Sequence, residues 1–176
     1  MLIRLSRKII THSKILFYTI LKIKFFISLI FGVLIGCGNG KTVSDIIDYV
    51  TEINNRTDLT ESISEFDSED LNDKDVGGIS IYELTDSNGN ILRIVAEIVQ
   101  TNNLPINYEF YFKNDTLTFA RVTEWNETGS DTIMNSDYYF DKSELIKQVD
   151  RKDIQMDAET VIEVSEFYLV YGKSTE

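Results

Sequence analysis

Few side chains in this 176-residue chain can carry covalent or acid–base chemistry. There is one cysteine, Cys37, and one histidine, His12, against 29 Asp and Glu residues. A single thiol has no partner for an intrachain disulfide, and one thiol with one imidazole cannot build a zinc site of imidazole or thiolate ligands. His12 lies in a stretch, residues 1–36, that carries Arg4, Arg7, Lys8, Lys14, Lys22 and Lys24 and no acid. Were the chain cut before Cys37, no histidine would remain, and neither a Ser-His-Asp nor a Cys-His constellation could be assembled. No glycine-rich phosphate loop is present. Carboxylates would then be the groups left for catalysis, as in glycoside hydrolysis, where two must face each other across the scissile bond. With 29 acids, pairs arise by chance and no spacing singles one out. No catalytic residue, cofactor site or metal site is assigned on this basis.

Cys37 closes the run Phe25-Phe-Ile-Ser-Leu-Ile-Phe-Gly-Val-Leu-Ile-Gly36. A basic segment, a 7–15-residue apolar segment and a small residue at the cut make up the secretory pattern. A retained spanning helix would need about 20 apolar residues. Ile15 to Gly36 reaches that length only by enclosing Lys22 and Lys24, and a lysine near mid-span costs about 2.5–3.5 kcal/mol. Leu34-Ile35-Gly36-Cys37 at the end of this segment resembles the lipobox of bacterial lipoprotein signal peptides. The resemblance implies cleavage before Cys37, acylation of Cys37, and a chain held at a bilayer by that lipid anchor. It covers the first 37 residues and assigns no family to the rest. It implies a place in the bacterial cell envelope. Gly38, where some bacteria use Asp for retention, resembles the pattern of outer-membrane lipoproteins. Residues 1–36 are thus expected to be a signal peptide, 37–41 a short tether, and 42–176 one α+β domain.

Removal of residues 1–36 takes six of the 17 Lys+Arg and none of the acids, so the charge moves from −12 to −18. Such a domain does not suit nucleic acid, which demands a basic footprint. It is also expected to avoid adhering to anionic lipid headgroups, and to suit a domain held just off the membrane by a short glycine-containing tether.

The elements follow from periodicity. Val43, Ile46, Ile47, Val50 and Ile53 recur at helical spacing, and Thr42 with Asp45 approximates a capping box, so 42–56 reads as an amphipathic helix. Leu59, Ile63 and Phe66 suggest a weak second helix. Asp67 to Asp75 reads as a solvated acidic loop; its spacing does not match a calcium loop. From Ile79 the period becomes two. Strand-like runs flank Asn88-Gly89, Asn114-Asp115 and Lys142-Ser143, three hairpin turns. Asp86, Asn88, Asn90 and Glu97 have calcium-loop spacing, but Ile91 stands where that loop needs glycine, so the hairpin is the better reading. Tyr111–Leu117 and Tyr139–Leu145 look like one hairpin repeated. A regular register places Phe110 and Phe112 with Leu117 and Phe119, and Tyr111 with Thr118 and Ala120. Glu83 would be buried opposite Ile94 in a tight Asn88-Gly89 turn, and solvated if the turn shifts by one residue; the solvated position is expected. Asp157 to Tyr171 reads as a C-terminal helix, with Asp157 and Gly172 as its caps.

The expected architecture is an α+β domain, an antiparallel meander of about six strands with the N-terminal and C-terminal helices packed on one face. The expected function is that of a membrane-anchored envelope lipoprotein, a non-enzymatic binding module whose exposed sheet face or acidic loops meet an envelope protein or glycan. The alternative is a carboxylate-based glycan hydrolase, which would need a pocket with convergent carboxylates.

Overall fold

The computed structural model describes residues 40–67, 69, 76–100, 105–126 and 128–174. Cys37, the apolar run before it and the acidic loop after Asp67 (Glu69 excepted) lie outside the described residues.

Helix α1, Val43–Asn55, begins as its sequence implies. The Thr42 N–H donates to Asp45 Oδ2 at 2.8 Å, and the Asp45 N–H donates to Thr42 Oγ1 at 3.2 Å. Seven strands follow, β1 Thr60–Asp67, β2 Val76–Thr85, β3 Ile91–Gln100, β4 Ile106–Lys113, β5 Thr116–Trp125, β6 Thr132–Asp141 and β7 Glu144–Asp150. They form one antiparallel sheet in sequence order. Helix α2, Ala158–Ser174, closes the chain. Its start is capped by Asp157, whose Oδ1 accepts from the Thr160 N–H at 2.9 Å. Lys41–Glu176 forms one compact unit.

The α+β meander with a helix near each end is the expected plan, with three differences. The extra strand is β1, where the spacing of Leu59, Ile63 and Phe66 predicts a helix. Thr60 to Asp67 instead pairs residue for residue with β2, from Thr60 opposite Thr85 to Asp67 opposite Gly78. Apolar residues at i, i+4 and i+7 do not separate helix from strand in eight residues, and the open edge of β2 supplies the hydrogen bonds that decide it.

The second difference concerns the helices. The larger core joins Val161, Tyr168 and Leu169 of α2 to Ile81, Ile94, Ala96, Phe110, Phe112, Ala120 and Phe140. The smaller joins Ile46 and Ile53 of α1 to Tyr111, Phe119 and Tyr139. Neighbouring strand residues point to opposite faces, so α1 and α2 cover different faces of the sheet rather than one. The reason lies in Phe110-Tyr111-Phe112 and Tyr138-Tyr139-Phe140. Each is an unbroken run of buried aromatics, and a strand apolar on both sides must be covered on both sides.

The third difference is register. Asn114 and Asp115 have φ of 53° and 59°, and Lys142 and Ser143 have 51° and 66°, the positive values of a two-residue hairpin turn. Tyr111 pairs with Phe119 but Phe112 pairs with Leu117, which leaves Thr118 as a bulge. Tyr139 pairs with Lys147 but Phe140 with Leu145, which leaves Ile146. The two hairpins therefore share turn and bulge. The bulge moves Phe119 to the α1 face, while Leu117 and Ala120 join Phe110 and Phe112.

The β2–β3 hairpin settles Glu83 by the same device. Its turn is longer than Asn88-Gly89 alone: the Asp86 N–H donates to the Asn90 carbonyl and the Gly89 N–H to the Asp86 carbonyl, both at 3.0 Å. That shift by itself would turn Glu83 outward. A bulge at Leu92, between Thr85↔Ile91 and Leu84↔Arg93, shifts the ladder back. Glu83 lies opposite Ile94 and is 8 % exposed, so the solvated position expected for it is corrected. Its carboxyl group lies under α2, so close to Gly172 that a Cβ there would sit 2.5 Å from Glu83 Oε1. Any side chain at position 172 would force the Glu83 carboxyl group to move.

Candidate functional site

Helix α1 crosses the sheet near the hairpin tips. The Tyr49 hydroxyl donates to the Phe112 carbonyl, and Asn54 Oδ1 accepts from Arg93 Nη1 at 3.1 Å. A 13-residue helix covers only part of the face. Farther from the tips, the same face carries polar side chains from β4, β5, β6 and the segment after β7.

Asp137 is their centre. It sits in β6 directly opposite Arg121 of β5 and is 1 % exposed. Arg121 grips it with two bonds, Nε to Oδ1 at 2.7 Å and Nη2 to Oδ2 at 3.1 Å. Arg151 Nη2 donates to Oδ2 at 2.5 Å, and Arg151 Nη1 donates to Asn135 Oδ1 at 3.0 Å. The two arginine side chains are each 44 % exposed. Burial pushes the Asp137 carboxyl upward, but the hydrogen bonds and charges of the two guanidinium groups outweigh it and hold the group below the usual carboxylate range. The Arg121 guanidinium also lies 5.7 Å from the centre of the Phe119 ring. Asp137 therefore fixes two half-exposed guanidinium groups in place.

Beside it, the Tyr111 hydroxyl donates to Glu109 Oε1 at 2.7 Å and lies 2.8 Å from Asn54 Oδ1. Burial, then the Glu109 carboxylate, pushes this phenol up to about 12. The open part of the face thus presents planar donors and carboxylate acceptors held by a rigid sheet. Guanidinium forks suit planar oxyanions and carbonyl groups. A carboxylate with both oxygens bonded to arginines is a positioning group, and it is not available for proton transfer at neutral pH.

The residues singled out from sequence fall elsewhere. Cys37 lies outside the described residues, as does most of the acidic loop. Asp86, Asn88 and Asn90 do come together, in the β2–β3 turn. There Asp86 Oδ1 accepts from the Asn88 and Asn90 N–H groups at 2.8 and 3.0 Å, and Oδ2 from Asn90 Nδ2 at 2.9 Å. Those bonds organise the turn and draw the Asp86 carboxyl down. Glu97 is away from them, in β3 opposite Asn107. Among the described residues no group of three or more His, Cys, Asp or Glu could hold a metal ion, and no helix is long and apolar enough to cross a membrane.

The Asp137 pair of ions is absent from the sequence reading. Its signal was an acid within the strand-like run 133–141 and an arginine within 116–125. Joining them required the register across the 126–131 loop, which no turn motif fixes.

On α2, Phe167 and Val170 are 64 % and 68 % exposed. They line a shallow depression of about 510 Å³ with Glu163, Glu166 and Tyr171. Its two glutamates come from one helix turn, side by side, and do not face each other across a cleft.

Breaking the ion network should destabilise the fold. In Arg121→Leu, Asp137 stays buried with only Arg151 to compensate it, and the loss should be about 2 kcal/mol, below the range for fully buried pairs because Arg121 is partly solvated. Urea denaturation at neutral pH measures it. A carboxyl held low in the folded state stabilises above its unfolded value, about 3.9, and that stabilisation is lost as pH falls through the folded value. The variant should therefore unfold at higher pH on acidification than the parent; an unchanged acid midpoint would count against the network.

In comparisons with known proteins, no family model, no curated protein and no solved structure matches the chain.

Proposed function

We propose that this chain is a membrane-anchored envelope lipoprotein that acts as a non-enzymatic binding module. In this reading Cys37 is acylated and carries the domain at a bilayer of the bacterial envelope, most simply the outer membrane. The open part of the α1 face meets a partner there, an envelope protein or a glycan. The observation that carries the binding role is the Asp137 centre. A buried carboxylate holds Arg121 and Arg151 in fixed positions while leaving 44 % of each side chain in solvent. Rigid donors that are already desolvated on one side lose little freedom on binding. On this face the bonds of both Asp137 oxygens to arginines favour a positioning role for that acid over the proton transfer that a hydrolase would ask of it.

Two measurements test the halves of this reading. Cys37→Ser should abolish incorporation of labelled fatty acid and leave the precursor uncut; unchanged labelling would end the lipoprotein claim. A photo-cross-linking residue at Thr123, in intact cells, should give a discrete adduct that disappears in Arg121→Glu. Absence of any adduct, or an adduct indifferent to that charge reversal, would remove the α1 face as the binding surface.

A further inference from the structure

One notch among the hairpin tips carries a local charge opposite to that of the domain, although Asp86, Asp115 and Glu144 stand at the same end of the sheet. Lys113, at the end of β4, and Lys142, in the β6–β7 turn, line a depression of about 360 Å³ together with Lys41, Asn114, Thr116 and Asp141. Lys41 is pinned there. Its N–H donates to Asp141 Oδ2 at 3.3 Å, and its Nζ donates to Thr118 Oγ1 at 3.3 Å. Three ammonium groups thus share a notch with one carboxylate. The nearby Asp115 is engaged by Lys173 at 2.7 Å. Lys113 Nζ lies 5.3 Å from the centre of the Tyr49 ring, which keeps it over α1. The crowding is felt electrostatically: burial first, and then the charge of Lys113, draw the Lys41 ammonium below its usual value. An anion entering the notch would relieve that repulsion.

The chain itself says which anion is near. Cys37 precedes Lys41 by four residues, which at full extension span at most about 14 Å. An acyl chain on Cys37 enters the bilayer at that point, so Lys41 cannot lie farther than this from the headgroup layer. The attraction of an anionic surface falls off over about 8–10 Å, and the notch lies within or next to that zone.

We propose that the Lys41–Lys113–Lys142 notch docks on the phosphates of anionic lipid headgroups in the membrane that holds Cys37, so that the hairpin tips face the bilayer. This rests on the lipoprotein reading above. It revises the expectation that a charge of −18 keeps the domain away from anionic lipid: net charge governs long-range repulsion, whereas the groups within a Debye length of the surface govern contact. With the tips down, the part of the α1 face that carries Arg121 and Arg151 stands farther from the membrane.

The test uses the chain from Cys37 onward, which includes all seven strands and both cores. Its single thiol is coupled to a maleimide lipid in vesicles, so the tether does not depend on acylation in cells. Amide hydrogen exchange is read at the 113–116 and 141–144 turns. Vesicles containing phosphatidylglycerol should slow exchange there relative to pure phosphatidylcholine. The exposed double variant Lys113→Glu/Lys142→Glu should lower the docked-to-free ratio by about fivefold or more for each lysine lost. No slowing on the anionic vesicles, or slowing that survives in the double variant, would overturn the proposal. So would equal slowing by inorganic phosphate on pure phosphatidylcholine, which would make the notch a site for free phosphate. Failure of fatty-acid labelling at Cys37 in cells would sink the lipoprotein reading, a result distinct from failure of the notch on chemically tethered vesicles.

Discussion

Raising the pH from 10 to 12 should unfold the domain through its buried phenols. Tyr111 and Tyr168 are 1 % and 4 % exposed, and burial pushes each up to about 12. A phenol of the unfolded chain ionises near 10. A group raised in the folded state contributes its full stabilisation below the unfolded value, and that contribution is lost as pH climbs through the window to the folded value. Two units are about 2.7 kcal/mol for each phenol. The pair together match the lower end of the stability of an ordinary domain, about 5–15 kcal/mol. Urea titrations at pH 9, 10 and 11, followed by the fluorescence of Trp125, would measure the loss. The phenols separate in their neutral-pH behaviour. Tyr111→Phe gives up the bond to Glu109 and should cost about 1 kcal/mol besides softening the alkaline transition. Tyr168→Phe should soften that transition at smaller neutral cost. If both substitutions leave the alkaline midpoint where it was, Tyr111 and Tyr168 are not its cause.

Phe110→Ala should cost about 3–5 kcal/mol, the range for a fully buried aromatic. Phe110 is 0 % exposed. Its ring stacks on Tyr108 at 5.7 Å and lies 6.3 Å from Phe112 and 6.2 Å from Tyr168 of α2. Removing it opens a cavity where sheet and helix meet, and it loosens the seat of α2 as well as β4. The comparison is Phe167→Ala on the outer side of α2, expected to lie within about 0.5 kcal/mol of the parent. Equal losses in the two variants, by urea denaturation, would contradict the assignment of the larger core to the sheet–α2 contact.

These two predictions draw on parts of the structure that were legible to different degrees. The aromatic run Phe110-Tyr111-Phe112 marks a strand in the sequence. Its helix partners do not show there, because an alternation of faces says which residues part company and not what covers them. The places of the three hairpin turns were legible, two of them because Asn114-Asp115 and Gly89 belong to the few residues that accept positive φ, and the third at Lys142-Ser143 from the strand-like runs on either side. The bulges at Leu92, Thr118 and Ile146 were not. A bulge has no required residue type here, yet each shifts every later side chain by one position. Glu83 shows the consequence, since its turn was longer than the tight one and its position nevertheless came out buried.

The sequence by itself determined the anchoring expectation at Leu34-Ile35-Gly36-Cys37, the two long helices from their 3.6-residue period and their N-terminal caps (Gly172, expected to end the second, lies inside it), the meander from its turns, and the exclusion of histidine chemistry beyond His12. All of these depend on residues close together in the chain, where local geometry and composition act directly. The tertiary structure alone decided that Thr60 to Asp67 is a strand, that α1 and α2 take opposite faces, that Asp137 meets Arg121 and Arg151, and that Lys41 meets Lys113 and Lys142. Each of these joins residues far apart in the chain. Their meeting is fixed by strand register and by which face needs cover, and both are properties of the assembled sheet that no local stretch of residues specifies.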